Sequence, residues 1–319
     1  RERIPDMSNF IYSINATLPI FLLIILGKVL YKGRIIGKDF TTAADRYVFY
    51  VALPALVFKD LTENEIGSRF DGGYVLFCFL STLVSILVIW GLTELFMKEE
   101  NQKGAFIQAS YRSSAALLGL AFIDNMYDGA GMAPLMIIGA VPLFNIFAVI
   151  ILTVKGDNGS ARPDLKTTLR NICKNPILIG ILAALPFAFF DIQFPAPINK
   201  GISYLAGTAS PLALLSIGAG FEGRKAIKKI KPTLCAAFIK LFALCALFLP
   251  LAVSLGYRNQ ELVGILIMLG SPSTVSCYIM AKNTRNDEVL TSSIIVLTTL
   301  LSSVSLTMWI YLLHSMGYL

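Results

Sequence analysis

The chain has a single histidine, His314 near its C-terminal end, so imidazole chemistry has almost nothing to work with. Its five cysteines (Cys78, Cys173, Cys235, Cys245 and Cys277) are odd in number, show no CxxC spacing and sit mostly inside apolar runs. That pattern argues against a disulfide framework or a metal site. Charge is scarce: 15% of the 319 residues are charged, against 55% hydrophobic. The central parts of the apolar runs contain no Asp or Glu that reads as buried, so an acidic proton relay or sodium site is not expected. There is no Walker loop and no carboxylate pair for hydrolysis, so an ATP-driven pump, an enzyme and a cofactor site all lack a motif.

With a mean hydropathy of +0.70, the chain has more apolar surface than a soluble domain could bury, and lipid must be the solvent for much of it. A membrane-crossing helix needs about 20 mostly apolar residues. Turn residues and charges cut the chain into ten such stretches: 9–31, 41–59, 72–97, 104–124, 132–154, 169–190, 197–220, 231–256, 260–281 and 289–313. Residues 1–8 form an N-terminal segment, of which 1–6, ahead of Met7, are expected to be extraneous to the fold. The first apolar run is long enough to span and no small-residue cleavage site follows it, so a cleavable signal peptide is not expected.

The net charge of +7 is placed unevenly. Alternate loops, at 32–38, 98–103, 155–174, 224–231 and 282–285, carry seventeen basic residues; the opposite set carries only Lys59, Arg69, Lys200 and Arg258, together with the acidic Glu63, Glu65, Asp71, Asp124 and Asp128. The positive-inside rule makes the first set cytoplasmic and puts both termini outside. This bias is a topology signal, so no nucleic-acid partner is expected.

Prolines inside apolar helices mark positions where a backbone hydrogen bond must be replaced by packing. Pro19 and Pro176 are 157 positions apart, as are Pro54 and Pro211, and the same shift carries Ser114 onto Ser271. Two five-helix repeats are therefore expected, over 9–154 and 169–319, joined by a polar cytoplasmic linker at 155–168. Because five is odd, the second repeat enters from the opposite side. Such inverted repeats place ligands at their interface near the bilayer midplane.

The fourth stretch holds Gln108-Ala109-Ser110-Tyr111-Arg112-Ser113-Ser114, and the ninth holds Gly270-Ser271-Pro272-Ser273-Thr274. Both read as broken mid-membrane segments. At such a break, free N–H groups and the positive ends of half-helices favour an anion, and hydroxyls can bond a carboxylate. Each residue also has a plainer reading. Arg112 could snorkel to a carbonyl, the serines and Thr274 could serve close helix packing, and Pro272 could be a kink. Asn145, beside Pro142, either orients the broken span or touches ligand, and Lys240 could be a counter-charge but reads as structural or snorkelling because of its distance from both breaks.

These residues carry a resemblance to the auxin efflux carrier family of membrane transport proteins, which includes malonate-type bacterial carriers. It rests on Val51 to Phe58, with Leu53-Pro54 at its centre, on Tyr111 to Ser114, Pro142 to Asn145, Asn175-Pro176, Ser210 to Leu214 with Gly218-Ala219, and Pro272 to Ala281. The resemblance implies an all-α integral membrane protein of ten helices, similar to bile-acid and sodium/proton carriers. Helices 1, 2, 6 and 7 would form a scaffold around a mobile core of helices 3–5 and 8–10, with helices 4 and 9 crossing at their breaks. It further implies secondary transport of a small carboxylate in the cell membrane by elevator-like alternating access, often as a homodimer. The anion would bind at Arg112, Ser113, Ser114, Asn145, Ser271, Pro272, Ser273 and Thr274, against Leu53 and Pro54 of the second helix. Where many members have Asn, this chain has Ser114, and a hydroxyl lacks the amide's paired donor and acceptor, so auxin itself is not the expected ligand. A sensor binding a ligand or lipid in the same fold is the competing reading.

Overall fold

The computed structural model describes residues 5–62, 71–115, 132–156, 165–190 and 194–319, together with 123, 126, 127 and 192. The far half of the expected 104–124 stretch, the acidic loop positions Glu63, Glu65, Asp124 and Asp128, Arg69, and linker positions 157–164 lie outside those residues, apart from Ile123. Among the described residues the chain is entirely helical except for one isolated antiparallel bridge.

In chain order, α1 is Pro5–Lys32, α2 Lys38–Tyr47, α3 Leu53–Thr62, α4 Gly72–Phe96, α5 Glu100–Tyr111, α6 Ala133–Lys155, α7 Leu165–Cys173 and α8 Pro176–Phe189. There follow α9 Ala196–Gly207, α10 Ala209–Gly220, α11 Gly223–Lys228, α12 Ile230–Phe238, α13 Leu244–Ser254, α14 Asn259–Gly270, α15 Ser276–Asn283 and α16 Glu288–Ser315. Among the described residues, five helical runs are long and apolar enough to cross a bilayer: Gly72–Phe96, Pro134–Lys155, Ala196–Gly220, Ile230–Ser254 and Glu288–Ser315. These residues form helices because a membrane leaves the backbone no other way to satisfy its polar groups.

The ends are set locally. Asp71 caps α4 by accepting from the Tyr74 N–H at 3.0 Å, and Asp287 caps α16 by accepting from Leu290 at 2.9 Å. Asn175 does the same for α8, accepting from the Ile177 N–H at 3.0 Å, with Pro176 in the first turn where no N–H is needed. Among the described residues two π turns join helical runs, Val48–Ala52 between α2 and α3 and Ile239–Ala243 between α12 and α13. The first directly precedes Pro54, whose missing N–H would leave a gap in a regular helix.

Apolar packing falls into two main bodies. One is built from α4, α5, α6, α13, α14 and α16, around Tyr74, Ile107, Met136, Cys245 and Leu266. The other joins α1, α3, α8 and α10 to faces of α6 and α15, around Val48, Leu53, Ile181, Ile217 and Ile279. Within the second body α1 and α10 touch through bare backbone: a methyl group on Gly218 would stand 1.9 Å from the Ile24 carbonyl oxygen, and one on Gly27 would stand 2.3 Å from that of Leu215. Such small-residue contacts let membrane helices approach where lipid offers no hydrophobic drive.

A buried carboxylate lies near the start of the 41–59 stretch, outside its central part. Asp45 on α2 is buried, and its carboxylate pairs with the Lys282 ammonium at 2.9 Å, joining α2 to the end of α15. A buried carboxylate is costly without a partner, and the Lys282 ammonium supplies one.

Candidate functional site

Helices α5 and α14 each run twelve residues and then stop at an extended residue, Arg112 in one and Ser271 in the other. The two breaks lie side by side. Ser113 and Ser273 form the antiparallel bridge, and the Ser114 N–H donates to the Pro272 carbonyl at 3.0 Å.

Each break supplies hydrogen bonds that the other helix end lacks. The Ser113 hydroxyl donates to the Met268 carbonyl in the last turn of α14. The Ser273 hydroxyl donates to the Ala109 carbonyl in the last turn of α5. The last carbonyls of a helix have no partner within it, so these bonds let both helices end inside the protein. The Ser273 N–H is in turn held by Thr298 Oγ1 of α16 at 3.2 Å.

Arg112 is buried. Its guanidinium donates to Asn145 Oδ1 and meets the Met280 sulfur at 2.6 Å. Asn145 is itself oriented by its amide, which donates to the Val141 carbonyl at 2.9 Å, one turn back, beside Pro142. Both partners of Arg112 are neutral, and the cavity beside them is lined by one carboxylate, Asp60.

Beside this group lies a small cavity of about 50 Å³. It is lined by Arg112, Ser113, Ser114, Asn145 and Thr274 from the crossing region and by Leu53, Leu56, Val57 and Asp60 from α3. The sequence-derived residues Leu53, Arg112, Ser113, Ser114, Asn145 and Thr274 thus come together at one place. Pro54, Ser271, Pro272 and Ser273 stand outside the lining: Pro54 packs on Gly180, Ser271 is fully buried, and Pro272 and Ser273 serve the bridge.

Two residues at the crossing were not expected there. Asp60 brings a carboxylate to the rim of the cavity. Lys240 has no exposed surface, and its ammonium donates to the Ser113 hydroxyl and the Leu269 carbonyl, which overturns its reading as remote from the breaks. Lys240 sits inside the π turn Ile239–Ala243, and such bulges in helices often mark functional positions. The isolated lysine in an apolar run was the only signal in the sequence.

Among the described residues the protein is helical, with two broken helices meeting around the buried Arg112 and Lys240, features found in membrane transport proteins. The family model described as "Membrane transport protein" matches residues 12–310, and the chain belongs to that family, in keeping with the resemblance to auxin efflux carriers. It is 25% identical over 317 residues to a Rhizobium meliloti (strain 1021) protein named "Putative malonate transporter", covering 93% of this chain and 95% of that one. It is also 22% identical over 304 residues to a protein of Methanocaldococcus jannaschii named as an uncharacterized transporter, covering 92% and 97%. A similarly named Methanothermobacter thermautotrophicus protein is 20% identical over 304 residues, covering 94% and 98%. The chain is a membrane transporter and not an enzyme.

Proposed function

We propose that this transporter is a secondary carrier of small carboxylates, which bind at the crossing of the two broken helices. The observation that carries the reading is Arg112, a buried guanidinium on the wall of the cavity whose hydrogen-bond partner Asn145 is neutral. The hydroxyls of Ser114 and Thr274 add donors for a carboxylate, and the start of α15 turns its positive end toward the break. The name of the Rhizobium meliloti relative makes malonate the first substrate to test. At about 50 Å³ the cavity has room for only a few waters, so binding would require α3 to move away from the crossing.

Ten membrane helices in two inverted repeats account for several features at once. The runs Gly72–Phe96 and Ile230–Ser254 both have 25 residues, α5 and α14 match in length, and the hydroxyl-to-carbonyl bonds at the breaks are reciprocal. Likewise α1 packs on α10 as α3 packs on α8, the relation expected when helices 1 and 2 of one repeat exchange roles with 6 and 7 of the other. The two apolar bodies correspond in large part to a scaffold of helices 1, 2, 6 and 7 and a core of helices 3–5 and 8–10. Motion of the core past α3 would then carry the anion by an elevator-like route. In this arrangement both termini face outward from the cell membrane, and a homodimer would steady the scaffold.

The test is uptake of radiolabelled malonate and a panel of other mono- and dicarboxylates by purified protein in liposomes. Uptake by the native protein and its loss in Arg112→Ala are expected. Binding of a carboxylate without any movement across the bilayer would instead favour a sensor.

A further inference from the structure

The carbonyl end of α14 is where crossing-helix carriers can hold a coupling cation, because unwound carbonyls and the negative end of a half-helix favour positive charge. In this chain that place is filled by a side chain. The Lys240 ammonium reaches the Leu269 carbonyl in the last turn of α14 and the Ser113 hydroxyl, which itself bonds the Met268 carbonyl. Those ammonium partners are neutral oxygens, the ligand type that a sodium ion takes, and the lysine has no exposed surface.

We infer that Lys240 is a cation built into the carrier at the position of a coupling ion, so that carboxylate movement requires no sodium. The inference rests on the carboxylate reading above and adds how the site is energised. Lys240 is a positioning residue: it does not line the cavity, but it holds Ser113, which does. A sodium-coupled carrier must gather its cation on each cycle, whereas here the positive charge travels with the protein and remains after the anion leaves. The π turn at Ile239–Ala243 has a role in this account, since it sets Lys240 in the wall facing the crossing.

The test compares malonate uptake by liposomes in sodium chloride and in choline chloride of equal strength. The native protein should show rates within about twofold of each other in the two salts, and Lys240→Ala should fall by about tenfold in choline and recover in part in sodium. Lys240→Arg, which keeps the charge, should stay indifferent to sodium. Native uptake that collapses in choline would overturn the inference. So would residual Lys240→Ala uptake that ignores sodium, which would assign the lysine to packing alone. Melting of the native protein gives a readout that needs no transport: sodium should stabilise it no more than choline does, and a sodium-specific rise would contradict the inference. If no carboxylate moves in either salt, the carboxylate reading fails, and the melting comparison still decides the role of Lys240.

Discussion

Ser113 and Ser273 pair across the two helix breaks, and each hydroxyl satisfies a carbonyl in the last turn of the opposite helix. This exchange makes the crossing a single unit, because neither helix can end where it does without the other.

Ser113→Ala and Ser273→Ala should each destabilise the protein by about 1–3 kcal/mol, the cost of leaving a buried carbonyl unpaired. Ser113→Ala should be the worse of the two, since it also removes an acceptor from Lys240. Thermal melting in detergent would check the order, and equal losses would mean that the Lys240 contact is unimportant.

Asn145→Asp would place a carboxylate against the Arg112 guanidinium and occupy the charge that an anion should use. Carboxylate affinity should weaken by about tenfold or more while the fold survives, because the new pair is well matched in geometry. Titration calorimetry on the variant would read this directly. Unchanged affinity would remove Arg112 from the binding site.

Much of this site was legible in the sequence because its signals are local. A guanidinium followed by two serines, a proline between serines, and an asparagine beside a proline are each out of place in an apolar helix, and Arg112, Ser113, Ser114, Asn145 and Thr274 do meet at the cavity. Five of the expected stretches, 72–97, 132–154, 197–220, 231–256 and 289–313, were legible from apolar length alone. The position of Lys240 was not, because the π turn shifts the face on which it falls. The pairing of Asp45 with Lys282 was hidden too: it depends on how α2 packs against α15, far away in the chain.

The Asp45–Lys282 pair provides a separate check on packing. Lys282→Ala would leave the Asp45 carboxylate buried without its ammonium, and a loss of about 1–3 kcal/mol is expected for a pair that is partly open to solvent on the lysine side. Burial lowers the Lys282 pKa, but the Tyr278 and Asp45 contacts outweigh it and hold the group above its ordinary value. A raised lysine contributes its stability in full at neutral pH and loses it only in strongly alkaline solution. The melting difference between the native protein and Lys282→Ala should therefore stay constant from pH 6 to pH 8, about the range where detergent melts are practical.

Gly218→Leu should separate α1 from α10, since even a methyl group there would overlap the Ile24 carbonyl. Lower yield and earlier melting are expected, with no effect specific to one substrate. A variant as stable as the native protein would mean that the two helices are free to part.

The central claim, a carboxylate carrier whose anion binds at Arg112, is tested most directly by malonate uptake into liposomes holding either native protein or Arg112→Ala at matched amounts. Saturable uptake by the native protein and background uptake by the variant are the results expected; equal uptake by the two would contradict the account.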